Sequence, residues 1–142
     1  MRWIALTLAV TAASPALADS TGMAALAGAW TAVLAEQEGA PAPALVGHRL
    51  VFEGDRYAIS GADGTPLFAG TYRLDPGGDP PAIDFQGETA QGAEASWEGV
   101  YRLDGDTLTI VDDAPDPSKG RPTGLEAPAG SGHVLIEFRR SR

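Results

Sequence analysis

The sequence predicts an all-β protein, an eight-stranded antiparallel up-and-down barrel spanning residues 19–142. Three observations lead there. Beyond Pro41 the apolar residues recur at alternate positions, the period of strands with one buried and one solvated face. Turn-forming pairs such as Gly54-Asp55, Asp63-Gly64 and Asp104-Gly105 separate these runs, and short strands punctuated in this way indicate a closed antiparallel sheet. Nine aromatic residues follow the first 18 positions, and they fall on seven of the eight inferred strands with one parity in each. A helical protein would not place them so.

The first strand is expected from about Gly28 to Glu36. It follows a short helical turn near 21–26, because Met23, Leu26, Trp30 and Leu34 also satisfy helical spacing in this Ala-rich stretch. His48 to Phe52 places Leu50 and Phe52 on one face, and Tyr57 and Ile59 follow on the next strand. Leu67 to Leu74 carries Phe68, Gly70, Tyr72 and Leu74 inward; Ile83 and Phe85 then flank an outward Asp84. Ala95 to Leu103 aligns Trp97, Gly99, Tyr101 and Leu103. Leu108 and Ile110 form the seventh strand, and His133 to Arg140 the eighth, with Val134, Ile136 and Phe138 inside. A six-residue similarity, Gly70-Thr71-Tyr72-Arg73-Leu74-Asp75 against Gly99-Val100-Tyr101-Arg102-Leu103-Asp104, marks two equivalent barrel strands. Residues 112–131 contain Pro115, Pro117, Pro122 and Pro128 and form one long loop, the kind that in compact domains often serves as a lid or binding loop.

Residues 1–18 have the pattern of a cleaved secretory leader: Arg2, an uncharged run from Trp3 to Ala13, then Ser14-Pro15 and Ala16-Leu17-Ala18. The expectation is export to the periplasm or medium with cleavage after Ala18. The run is about half the ~20 residues that span a bilayer, so no membrane span is expected. The 142 residues include no cysteine, which excludes disulfides, thiolate catalysis and a lipid-anchored cysteine. A formal charge of −9 opposes a phosphate-neutralising surface, so no nucleic-acid partner is expected. The expected unit is a single domain, 19–142, and a monomer.

Gly28-Ala29-Trp30 near the start, with Arg139 and Arg140 at the finish, resembles the lipocalin signature, in which a basic side chain covers the indole by a cation–π contact. Arg140 shares parity with Phe138 and is the expected partner, so Gly28, Trp30 and Arg140 form a structural closure. A longer ordered set covers nearly all of the chain after the leader. It comprises Leu26-x-Gly28-x-Trp30, Leu50-x-Phe52-x-Gly54-Asp55-x-Tyr57, Gly70-Thr71-Tyr72-x-Leu74-Asp75-Pro76 and Ala82-Ile83-Asp84. Gly99-Val100-Tyr101-x-Leu103-Asp104-Gly105-Asp106-Thr107-Leu108, Arg121-Pro122-Thr123 and Gly130-Ser131-Gly132 complete it. This set resembles an uncharacterised lipocalin-like domain family best known from planctomycete genomes. The resemblance implies a small β-barrel without established catalytic residues. Where that family often carries a Cys on the strand after Asp-Gly-Asp, this chain has Ile110, Val111 and Asp112.

The residues single out no catalytic constellation. Ser96 and Glu98 point outward by parity, and the two histidines, His48 and His133, lack a third nitrogen or sulfur ligand. Asp104-x-Asp106 is turn chemistry, and Asp112-Asp113 with Asp116 lacks the spacing of a calcium loop. No metal, no cofactor and no enzymatic activity are expected. Two functions compete: a binding protein holding a small apolar or amphipathic ligand in the barrel, or a protein-interaction or inhibitor module whose barrel is solid. An eight-stranded barrel is just wide enough for either. Inward Gly70, Gly99 and Ala32 leave space, whereas Trp97, Tyr101, Tyr72 and the four phenylalanines have bulk enough to pack a narrow barrel solid. If Trp30 and Arg140 close one end, the connections 37–47, 61–66, 87–94 and 113–131 gather at the other. Phe68 and Trp97 would then line the mouth, with Arg121 overhead.

Overall fold

The computed structural model describes residues 22–141; the expected leader, 1–18, lies outside them. Residues 22–26 form a helical turn. Nine strands follow: β1 (Gly28–Gln37), β2 (Ala40–Pro41), β3 (Arg49–Glu53), β4 (Arg56–Ser60), β5 (Pro66–Asp75), β6 (Ala82–Thr89), β7 (Glu94–Asp104), β8 (Thr107–Asp112) and β9 (Val134–Arg140). Every pairing is antiparallel, and β9 returns to β1 and closes an eight-stranded ring that runs β1-β3-β4-β5-β6-β7-β8-β9. The two-residue β2 adds two residue pairs at the end of β1, Glu36 opposite Pro41 and Gln37 opposite Ala40. Glu38 and Gly39 turn the chain there with φ of 51° and 83°. A two-residue strand contains no period, so the alternation that marks the other strands is silent about it.

Pairing follows the alternation, because residues opposite one another share a face. Trp30 lies opposite Leu50, Phe52 opposite Tyr57, Tyr72 opposite Phe85, and Phe85 opposite Trp97. Leu108 sits between Leu103 and Phe138, and Ile110 opposite Ile136. The inward set read from parity makes up most of the interior cluster, and Leu26 and Met23 join it from the helical turn.

Three local features depart from simple alternation. A bulge between Ala32 and Leu34 shifts the register of β1 on β9. One extra residue reverses the faces beyond it, so Ala35 is buried while Val33 and Leu34 are 44% and 42% exposed. The inward glycines, expected to leave space, are instead filled by backbone. Gly70 faces Gly87 across β5 and β6, and a Cβ on either would stand 2.1 Å from a carbonyl oxygen of the facing strand. A Cβ on Gly99 would stand 2.6 Å from the Val111 oxygen. These glycines let the sheet fold sharply at the barrel corner.

The segment after β8 is the third departure. Leu125 and Ala127 pack onto Val100, Val111 and Leu135, on the outer wall of β7, β8 and β9. Val111 is completely buried there. The long loop is therefore mainly a strap over the outer wall, and only its first residues reach the mouth. No helix among the described residues is long and apolar enough to cross a membrane.

Candidate functional site

The sealed end of the barrel is built from the two chain termini of the sheet. Trp30 is fully buried, and its indole Nε1 donates to the Leu26 carbonyl at 2.9 Å. The Arg140 guanidinium lies 4.3 Å from the centre of the Trp30 ring. Its two terminal nitrogens donate to the carbonyls of Ala27 and Ala25 at 2.9 and 3.0 Å, so it also satisfies open carbonyls at the end of the helical turn. Gly28 has a φ of 113°, and a Cβ there would come to 3.4 Å from the Arg140 guanidinium. Glycine thus supplies the backbone angle, while the guanidinium beyond it stands at ordinary contact distance. Leu26 and Met23 reach the interior cluster from the turn, which acts as the stopper.

Aromatic rings fill the middle of the barrel. Phe52 and Tyr72 meet at 4.6 Å, Phe85 stacks on Trp97 at 5.2 Å, and Tyr57 stands edge-on to Phe85 at 4.9 Å. The Tyr72 hydroxyl escapes to the Gly54 carbonyl at 2.9 Å. The Tyr57 hydroxyl is buried with no hydrogen-bond partner among the described residues, and burial pushes its pKa up to about 12.

Above this layer the interior opens. A cavity of about 280 Å³ is walled by Leu50, Ile59, Phe68, Phe85, Trp97 and Ile110, with Phe68 edge-on to Trp97 at 5.1 Å. The aromatic pair expected at the mouth is therefore brought together. Ile136, Phe138 and Val134 close the β9 side. Polar groups enter only at the rim: Gln37 from the end of β1, His48 from the connection before β3, and Asp112 from the end of β8.

Asp112 is the residue that sequence reasoning passed over. In the sequence it stands with Asp113 and Asp116 at the head of the long loop. Leu108 and Ile110 point inward, and Asp112 continues their parity into the cavity wall. Its Oδ1 accepts from the Ala114 amide at 2.8 Å. Burial pushes the carboxyl up to about 7; the neighbouring Asp113 adds to this, and the Ala114 amide opposes it. Parity was the signal available, but a carboxylate beside Asp113 at the head of a proline-rich stretch reads as the start of a loop.

Arg121 does not hang over the mouth. It lies on the outer wall, where one nitrogen donates to Asp84 Oδ1 at 2.6 Å and to the Gly99 carbonyl at 2.9 Å. A second nitrogen is 3.5 Å from Glu98. The reason is the path of the strap, which leaves the mouth after Pro115 to cover Val100 and Val111. The outer groove beside these groups measures about 320 Å³ and is edged by Thr71, Arg73, Gln86 and Ser96. Two of its carboxylates, Asp84 and Glu98, already pair with Arg121. Asp113, nearly inaccessible, faces the same wall and accepts from the Glu98 amide at 3.4 Å.

The histidines do not converge. His48 is at the mouth, whereas His133 Nε2 lies 3.1 Å from the Gly120 carbonyl in the strap. No group of three His, Cys, Asp or Glu among the described residues is placed to hold a metal. Asp116 caps a short 3₁₀ turn through the Ser118 amide.

Fold and interior together define a small lipocalin-like barrel with one stoppered end and one open apolar end. Compared with family models, curated proteins and solved structures, the chain matches none.

Proposed function

We propose that this protein is a non-enzymatic binding protein that holds one small apolar or amphipathic ligand in the open half of its barrel. The observation that carries this reading is the cavity itself. At about 280 Å³ it is roughly twice the 150 Å³ apolar void that admits benzene, and its polar groups sit only at the entrance. Apolar walls with a few convergent polar groups are the usual construction of a small-molecule site. The composition of residues 1–18 supports binding in the periplasm or outside the cell. The family resemblance adds no activity to this reading.

Native mass spectrometry of the exported protein tests it first, by detecting a co-purified small molecule. Titration with phenol and naphthalene, followed by tryptophan emission, tests it second. Trp97 lines the cavity while Trp30 is sealed behind the stopper, so a saturable change that disappears in Trp97→Phe is the expected result. No bound molecule and flat emission would move the function to the second reading, a protein-interaction module. One observation favours that alternative: Val33, Leu34, Val46 and Val51 are exposed on β1, β3 and the segment between them.

A further inference from the structure

The cavity has a one-sided charge character. Its lining includes no lysine or arginine, and its only carboxylate is Asp112. Oδ1 of Asp112 is held by the Ala114 amide, and Oδ2 makes no hydrogen bond among the described residues. An apolar chamber with an under-partnered carboxylate at its entrance is chemically specific. A carboxylate ligand, such as a fatty acid, would bring a second negative charge to Asp112 with no lysine or arginine in the lining to offset either. A neutral donor such as an alcohol would supply a hydrogen bond but no opposite charge. A cation would supply the missing donor and the opposite charge in a partly desolvated setting, where such a pair is strongest. The formal charge of −9 further favours cations in the surrounding field.

We infer that the occupant of this cavity is a small organic amine whose protonated nitrogen is held at the mouth by Asp112 and whose apolar body lies against Phe68 and Trp97. This rests on the binding reading above and names its ligand class. Gln37 and His48 complete the rim, with the Gln37 amide oxygen as a further acceptor for ammonium hydrogens. The titratable groups around Asp112 are His48 across the rim and Asp113 next in the chain. Asp113 packs toward Glu98 on the outer wall, and β9 contributes Val134 opposite Asp112. Burial holds Asp112 protonated into the neutral range, so amine binding expels a proton there and tightens as the pH rises through it.

The test compares three probes with one phenyl body: 2-phenylethylamine, 2-phenylethanol and 3-phenylpropionate, followed by calorimetry and Trp97 emission. The amine is expected to bind about tenfold more tightly than the alcohol, with the carboxylate weakest. Asp112→Asn keeps the acceptor for the Ala114 amide. It should bring the amine down to the level of the alcohol, leave the alcohol unchanged and abolish the pH dependence. Glu53→Gln removes one exposed charge elsewhere and should leave all three affinities as they were, which separates local contact from net charge. Alcohol binding equal to amine binding, or amine binding indifferent to Asp112→Asn, overturns the amine inference while the binding reading stands. If none of the three binds a folded protein, with folding checked by thermal unfolding, the binding reading fails and the inference with it.

Discussion

The two ends of the barrel are made from similar materials and finished differently. At the sealed end a tryptophan, an arginine and a helical turn satisfy one another: the indole donates to Leu26, and the guanidinium covers the ring and takes the carbonyls of Ala25 and Ala27. At the mouth a tryptophan, a phenylalanine and a carboxylate surround empty space, and the Asp112 carboxylate is left with one backbone partner. The contrast has a structural origin. The helical turn ahead of β1 drops into one end, whereas the long segment after β8, the natural stopper for the other, is spent on the outer wall. Packing that is complete contributes stability; packing withheld at the mouth leaves room for a ligand.

Substitutions can break that contrast or sharpen it. Trp30→Ala removes the fully buried ring and should cost about 3–5 kcal/mol in urea unfolding. Trp97→Ala, beside a void that already exists, should cost less and remove the emission response to ligand. A larger loss for Trp97 would mean that the mouth, not the sealed end, anchors the barrel.

Asp112→Asn is expected to stabilise the empty protein at pH 8. The folded-state pKa of about 7 lies above that of an unfolded aspartate, so the native state binds the extra proton between those values. Stability therefore falls as the pH rises through that window, and the cost of ionised Asp112 is fully present above about 7. Three pKa units correspond to at most ~4 kcal/mol, and partial solvation at the rim reduces this to about 2 kcal/mol. The urea midpoints of Asp112→Asn and the parent should converge near pH 4 and separate near pH 8. Parallel midpoints across that range would show that the carboxylate is well solvated.

Arg140→Met keeps the aliphatic stem and deletes the charge over Trp30 and the bonds to two carbonyls. A loss of about 1–2 kcal/mol follows for a side chain that is still partly solvated, with probe binding at the mouth unchanged. Arg121→Ala should have the smallest effect, below about 1 kcal/mol on global unfolding, because its carboxylate partners are substantially exposed. It should instead speed proteolysis after Lys119 and leave the emission titration untouched. A weakened titration would tie the outer wall to the mouth and remove the division between them.

Much of this was legible from residues two positions apart. Alternation placed Trp30, Phe52, Tyr57, Phe85 and Trp97 inside because a strand's side chains change face at every step, a rule that needs no knowledge of neighbours. The same rule, extended one step beyond Ile110, reaches Asp112, but a carboxylate reads as surface until its surroundings are known. Leu34 shows the limit from the other side: alternation from Trp30 and Ala32 puts it inside, and one bulged residue puts it out.

Strand identity, parity and the Trp30–Arg140 closure are consequences of local pattern and of which residues stand at the two ends of a ring. Hollow or solid is a different kind of property. Gly70 and Gly99 looked like space and are occupied by facing backbone, while the actual cavity lies among large residues, Phe68 and Trp97 included. The strap's destination was likewise decided by Val100 and Val111, which face outward and accept Leu125 and Ala127. Such outcomes depend on how closely strands distant in the chain approach one another and on which apolar surface a loop can reach. Those distances arise only when the barrel closes, which is why no window of the sequence contains them.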